Sequence, residues 1–311
     1  MAEPARQARA FGPVPSRRLG RSLGVDLIPF KTCTFDCVYC QLGRTTRKTA
    51  EREEWVPTEE VLEDVRAKLD AEPDYITLSG SGEPTLHARF GEILDAIKDM
   101  TSVPTAVLTN SSLMTSPDVR SALASADLIV PSLDAPDPAI FEKVNRPHPS
   151  VRFQSMVESL IEFSKGFKGE IWLEIFLLEG MNTAPEAVEA MAAIARRIGP
   201  DRIQLNTVSR PPAEAFAKPV PFEAMQAIAR RFGDRAEVVA DFRGVHERLE
   251  FTARREDVLS MLQRRPCTVE DLASGLAMHV NEVVKYVEEL SAEGKISAED
   301  AGGKPYWTAR P

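Results

Sequence analysis

Cysteine is scarce in this chain, with four in 311 residues. Three of them crowd together, one stands far away, and no export signal precedes them. That excludes a disulfide framework and makes the cytoplasm the expected location. Histidine is equally scarce, and His87, His148, His246 and His279 each stand alone. Zinc normally takes two cysteine pairs, or a pair with two spaced histidines, so a zinc knob is short of ligands. No apolar run approaches the roughly 18 residues of a membrane span. Positive charge is in deficit, with Lys+Arg 38 against Asp+Glu 47 and a net of −9. That sign disfavours a protein coated by nucleic acid.

What is present is one dense motif, Cys33-Thr-Phe-Asp-Cys37-Val-Tyr-Cys40. Three thiolates on one short loop can grip three corners of a 4Fe-4S cube. The fourth iron then lacks a protein ligand and stays open to a small molecule. An open metal site is a reactive one, by the logic that separates catalytic from structural zinc. The spacing favours such a cluster over zinc or a redox thiol set. The fourth cysteine, Cys267, precedes a helix signal and reads as a small buried thiol.

Cys33, Cys37, Tyr39 and Cys40 resemble the cluster motif of radical S-adenosylmethionine (radical SAM) enzymes. The stretches Gly12-Pro-Val-Pro-Ser-Arg-Arg-Leu-Gly20, Val25-Asp-Leu-Ile-Pro29 and Gln41-Leu-Gly43 resemble the Fe–S oxidoreductase or wyosine-synthase-like branch. The resemblance spans about residues 11 to 240. It implies a cluster that chelates SAM, an electron that cleaves a carbon–sulfur bond, and a 5′-deoxyadenosyl radical that takes hydrogen from a substrate. It also implies a reductant such as flavodoxin or ferredoxin. The cofactor carries that chemistry, and the protein orients and shields it.

Strand and helix signals alternate six times, from a short strand at Val25–Ile28 to a helix near 222–232. That pattern implies a parallel sheet with right-handed crossovers. Thr58 reads as the cap of a helix over 58–69. Thr183 and Glu186 read as a capping box for a helix over 184–198, with Pro185 in its first turn and Gly199 at its stop. In the fifth strand Ile171, Leu173, Ile175 and Leu177 share one face, and Trp172, Glu174 and Phe176 the other. In the sixth, Ile203 and Leu205 alternate with Gln204 and Asn206. Polar groups on a buried face need partners, so a curled sheet with a polar lumen is expected. The fold is read as α/β, a partial (β/α)6 TIM-like barrel followed by a small winged helix-turn-helix-like domain. The expected divisions are a basic N-terminal arm (1–22), the barrel (23–240), a linker (241–251) and the small domain (252–311). Arg6, Arg9, Arg17, Arg18 and Arg21 make the arm basic, either as a solvated segment or as an anion-binding lip.

Ligands of such sheets bind beyond the strand carboxyl ends. Ser79-Gly-Ser-Gly-Glu-Pro84 follows the second strand and is similar to the family's Gly-Gly-Glu-Pro segment, with Ser81 in place of its first glycine. The resemblance gives Gly82 and Glu83 to the SAM amino group. It suggests Asn110, Ser132 and Asp134, at the next strand ends, for the ribose or carboxylate. Short polar residues also favour turns in their own right. Tyr39 is expected near the adenine. Asn206 and Arg210 are candidates for adenine or substrate, and Glu174 for the substrate side of the lumen.

From about 252 three helix signals precede two strand signals around Gly302-Gly303, a pattern similar to a winged helix. The third helix carries Val280, Val283, Val284, Val287 and Leu290 on its buried stripe. Its exposed face offers Glu282, Glu288, Glu289 and Glu293 against Lys285. A recognition helix for duplex DNA should be basic, so a protein- or peptide-docking module or a structural lid is expected. The leading reading is a radical SAM enzyme whose substrate is a peptide or protein. A tRNA-base-modifying enzyme is the first alternative, although the chain lacks three further cysteines for a second cluster. A non-catalytic Fe–S redox sensor that binds DNA is the second.

Overall fold

The computed structural model describes residues 8–16, 18–208, 212–239, 255–276, 278, 280–301 and 304–310. Arg6, Arg17, Arg210, His246, His279, the 241–251 linker and the Gly302-Gly303 turn lie outside the described residues. So do the side chains of Val280, Glu282 and Lys285.

The chain opens with a hairpin. β1 (Ala10–Ser16) runs antiparallel to β2 (Gly20–Val25). The cysteine loop follows, pinned by two short paired strands, β3 (Thr32–Cys33) and β4 (Arg47–Lys48). Then come α1 (Thr58–Arg66), β5 (Tyr75–Leu78), α2 (Phe90–Met100), β6 (Thr105–Thr109), α3 (Pro117–Leu123) and β7 (Leu128–Pro131). Next are α4 (Pro138–Val144), α5 (Phe153–Gly166), β8 (Glu170–Leu177), α6 (Pro185–Ile198), β9 (Arg202–Thr207), α7 (Phe222–Phe232) and β10 (Ala236–Val238). The sheet order is β1-β2-β5-β6-β7-β8-β9-β10, and every pairing except β1 with β2 is parallel. The six strand–helix units of the sequence are all present, with an extra strand at each end of the sheet.

The two faces of the sheet differ chemically, as the alternation requires. Ile76, Leu78, Val107, Ile129, Ile171, Leu173, Ile175, Leu177, Ile203 and Leu205 join one continuous core with α1, α2, α5 and α6. On the opposite face Leu19, Ala106, Leu128, Val130 and Trp172 form a separate apolar cluster near the strand amino ends. Arg202 lies over the Trp172 ring, 4.4 Å from its centroid. Towards the carboxyl ends the same face turns polar, at Thr77, Glu174 and Asn206.

Several expectations are corrected. The N-terminal arm is not free from residue 10 onward, because Ala10 is buried and the segment pairs with β2. Arg21 is used locally, donating to the Glu72 and Ala71 carbonyls. The strand expected at Val25–Ile28 ends at Val25, since Leu27 and Ile28 are buried without strand pairing. Thr58 is the first helical residue rather than the cap, and its amide donates to Glu54 Oε1 at 3.0 Å. No capping box forms at α6. Ala184 occupies the cap, and Thr183 Oγ1 instead accepts from the Gly180 amide at 3.3 Å. α4 and β10 are too short to have shown a period.

The C-terminal residues form their own core. It comprises α8 (Arg255–Arg264), α9 (Val269–Leu276), α10 (Val280–Ala292) and a hairpin of β11 (Ile296–Ala301) with β12 (Lys304–Ala309). Cys267 is buried there, and its amide and carbonyl exchange hydrogen bonds with Trp307 at 2.9 and 2.8 Å. No helix among the described residues is long and apolar enough to cross a membrane.

Gly199 ends α6 at φ +67, with nothing within 4 Å of where a Cβ would sit. Gly199→Ala therefore meets only backbone strain, and should cost about 1–2 kcal/mol, read as a lower urea midpoint.

Candidate functional site

The cysteine loop is held by its own backbone. The Cys40 amide donates to the Cys37 carbonyl at 3.1 Å, and the Gly43 amide to the Cys40 carbonyl at 2.9 Å. Asp36 Oδ1 accepts from the Thr45 amide at 2.7 Å, and the Val38 amide donates to the Val144 carbonyl at 2.9 Å. The three cysteine residues are half-buried. Buried Lys31 donates its ammonium to the Leu42 carbonyl at 2.6 Å, beside Cys40.

Two buried carboxylates sit behind this loop. Glu83 is 1% exposed. It accepts from the Thr85 amide at 3.2 Å, the Thr109 hydroxyl at 2.7 Å and the Asn110 amide at 2.7 Å, and also from the Thr85 hydroxyl. Burial still leaves its carboxyl above the usual range. Asp134 accepts from the Tyr39 hydroxyl, from Asn145 Nδ2 at 2.8 Å and from the Phe176 amide at 2.9 Å. Each carboxylate reaches a thiol through an asparagine. Asn110 Nδ2 lies 3.5 Å from Cys33 Sγ, and Asn145 Nδ2 lies 3.5 Å from Cys37 Sγ.

The metal-free thiols are protonated at neutral pH. Burial, then the Glu83 charge, pushes Cys33 up to about 12. Burial raises Cys37 and Cys40 as well. Binding a metal must displace those protons. The surroundings suit thiolates once it does, with amide donors at Cys33 and Cys37 and the Lys31 ammonium near Cys40. Among the described residues no three His, Cys, Asp or Glu side chains converge on a single-ion site. A cube asks for none, because each thiolate takes its own iron.

A cavity of about 470 Å3 opens between the cysteine loop and the polar face of the sheet. Cys33, Tyr39, Cys40, Gly82, Glu174 and Asn206 line it. Tyr39 stacks on Phe176, with ring centroids 3.9 Å apart and planes 9° from parallel. Below them Arg18 pairs with Glu174 Oε1 at 3.1 Å, and Asn206 Nδ2 donates to the same oxygen at 3.0 Å. Arg18 also donates to Gln204 Oε1 at 3.3 Å.

Of the candidate residues, Cys37, Glu83, Asn110, Ser132 and Asp134 do not line the cavity. The carboxylates of Glu83 and Asp134 are turned into the protein and saturated with donors. The glycines just before Glu83 have steric reasons. A Cβ at Gly82 would sit 1.8 Å from the Thr32 carbonyl oxygen, and one at Gly80 (φ +128) 2.3 Å from Asp26 Oδ1. Sequence reasoning gave no role to Asp26, although it lies in the Val25–Pro29 stretch, and none to Lys31 and Asn145, which belong to no motif. It left Arg18 either in a solvated arm or in an anion-binding lip, and did not pair it with Glu174 on the polar face.

A curled, mainly parallel sheet with its cavity at the strand carboxyl ends belongs to the barrel enzymes, whose chemistry sits at that end. The family model described as Radical SAM superfamily matches residues 27–206. A UPF0026 protein of Methanocaldococcus jannaschii is 34% identical over 307 residues, 96% of this chain and 95% of that one. A GTPase Obg of Brachyspira hyodysenteriae is 36% identical over 300 residues, 95% of this chain but 44% of that protein. The present sequence contains no G-x-x-x-x-G-K-[ST] phosphate loop. A radical SAM methyltransferase from Sphaerobacter thermophilus shares the fold, with TM-score 0.52, 18% identity and coverage of 73% of this chain and 68% of that one. The chain belongs to the radical SAM superfamily and, within it, to the UPF0026 proteins. It is an enzyme of that class, whose cofactors are a 4Fe-4S cluster and SAM, and such enzymes generally need an electron donor.

Burial holds the Asp134 carboxyl up to about 6 despite its donors. A carboxyl raised in the fold stabilises it at low pH, and that contribution is lost as pH rises through about 6. The Tyr39 hydroxyl opposes this by binding the ionised form. Tyr39→Phe should therefore cost about 1–2 kcal/mol at pH 8. The cost should shrink as pH falls through about 6, as read by urea denaturation of the cluster-free protein.

Proposed function

We propose that this protein uses its cluster to cleave SAM reductively and abstract hydrogen from a peptide or protein substrate in the lumen. Cys33, Cys37 and Cys40 would each hold one iron and leave the fourth open. The observation that carries this reading is the cavity, which joins Cys33 and Cys40 to the Gly80–Gly82 turn and to Glu174 in one continuous space. When bound, the cluster and SAM supply the power to take a hydrogen atom from carbon.

The protein's own residues do the rest. Gly82 lets the turn approach Thr32 closely enough to face the cluster loop. Tyr39, fixed by Phe176 and Asp134, offers a flat apolar edge for an adenine. Asn110 and Asp134 act from behind the cysteines, so their part is to position the loop rather than to touch SAM. Ser132 keeps only a positional claim, beside Glu174 in a short bridge. Glu174, held by Arg18 and Asn206, is the substrate-side polar group. Its partner Arg18 makes the pair able to meet both a donor and an acceptor, as a peptide bond presents. The net charge of −9 favours a protein or peptide over tRNA, and a winged-helix-like reading of the C-terminal module, acidic on its exposed face, points the same way.

Anaerobically reconstituted protein given SAM and reductant should release 5′-deoxyadenosine, and cell extract should stimulate that release even after ribonuclease treatment. Cys37→Ala should lose it entirely while keeping a cooperative unfolding transition. Loss of stimulation on ribonuclease treatment would instead indicate an RNA substrate. Absence of 5′-deoxyadenosine with an intact cluster would sink the proposal.

A further inference from the structure

The C-terminal module does not stand apart from the cavity. Asp257, Ser260, Met261, Arg264 and Arg265, all on α8 or just past its end, line one side of it. They are a helical stripe, spaced three or four residues apart. They cover the side where β1 ends the sheet.

Arg264 makes the connection. Its guanidinium pairs with Asp26, the residue directly after β2, and both side chains are nearly buried, 11% and 6% exposed. The same Asp26 holds the glycine turn. Its Oδ1 accepts from the Ser81 amide at 2.8 Å, and its Oδ2 from the Ser81 hydroxyl at 2.7 Å. Ser81 in turn accepts the Lys31 amide at 2.8 Å through its carbonyl. Arg264 is itself fixed from below. Its guanidinium carbon lies 3.5 Å from the Phe11 ring centroid. The Phe11 ring rests on Gly24, where a Cβ would come within 2.1 Å of it. A buried ion pair of this kind is costly to break, because each charge is then stranded without its partner. Undocking α8 would strand Asp26 and with it the anchor of Ser81.

We infer that Arg264 is a positioning residue for the Gly80–Gly82 turn, and that the C-terminal module is a working wall of the cavity whose docking is coupled to SAM binding. The inference rests on the reading of that turn as part of the SAM pocket. Coupling of this kind is reciprocal. SAM should tighten α8, and loss of the Arg264–Asp26 pair should weaken SAM.

The test is hydrogen exchange by mass spectrometry on the full chain, with SAM affinity measured by calorimetry on the cluster-loaded protein. Arg264→Ala should speed exchange in peptides over 79–84 and weaken SAM at least tenfold, with cluster content unchanged. Arg264→Lys should recover part of both. Arg196→Ala, on the exposed surface of α6, should alter neither. In the wild type, SAM should slow exchange over 255–264. Unchanged exchange over 79–84 in Arg264→Ala, with peptides over 269–292 still native, would overturn the inference. If Arg264→Ala loosens the module itself, Asp26→Asn decides, since it leaves α8 intact: faster exchange over both 79–84 and 255–264 supports the coupling, and no change over 255–264 refutes it. Exchange in the turn needs no SAM. A wild type that binds none would therefore end the SAM reading while the coupling was still measured.

Discussion

Two carboxylates that face inward hold the working end of this barrel in shape. Glu83 gathers donors from the loops after β5 and β6, and Asp134 gathers them from the cysteine loop, from β8 and from Asn145. A buried carboxylate is tolerable only when its oxygens are saturated. That requirement fixes where Asn110, Asn145, Thr109 and Tyr39 must stand. Those residues in turn frame Cys33 and Cys37. The thiols are therefore framed by a hydrogen-bonded scaffold of protein groups, which is the kind of preorganisation that a reactive centre needs.

Much of this was legible in the residues. The cysteine spacing named the chemistry, and the alternation in β8 and β9 separated an outer aliphatic face from an inner polar one. The aliphatic face carried the signal because burial on one side imposes a period of two. Helix ends were less legible. Thr58 and Thr183 have the residue type of a cap, yet Glu54 and Ala184 occupy the positions that decide those ends. Local type cannot reveal which neighbour reaches an amide first.

The direction of side chains was the harder part. Glu83, Asn110 and Asp134 occur at the right strand ends, and position along the chain suggested that they face a ligand. The structure turns Glu83 toward Thr85, Thr109 and the Asn110 amide, and Asp134 toward Tyr39, Asn145 and Phe176. Asp26, Lys31 and Arg264 were invisible for a related reason. Their partners lie 55, 11 and 238 positions away, and no local pattern encodes such pairings. Arg18 belongs with them: the sequence left it either a solvated charge or part of an anion-binding lip, and its partner Glu174 lies 156 positions away.

The apolar cluster of Leu19, Ala106, Leu128, Val130 and Trp172 lays hydrocarbon beneath the polar part of the lumen. Trp172 stands two residues before Glu174 on the same face of β8, so the Arg18–Glu174 pair begins one pleat above it. Hydrocarbon on one side keeps the local dielectric low there, and a charge pair acts more strongly where water is held away.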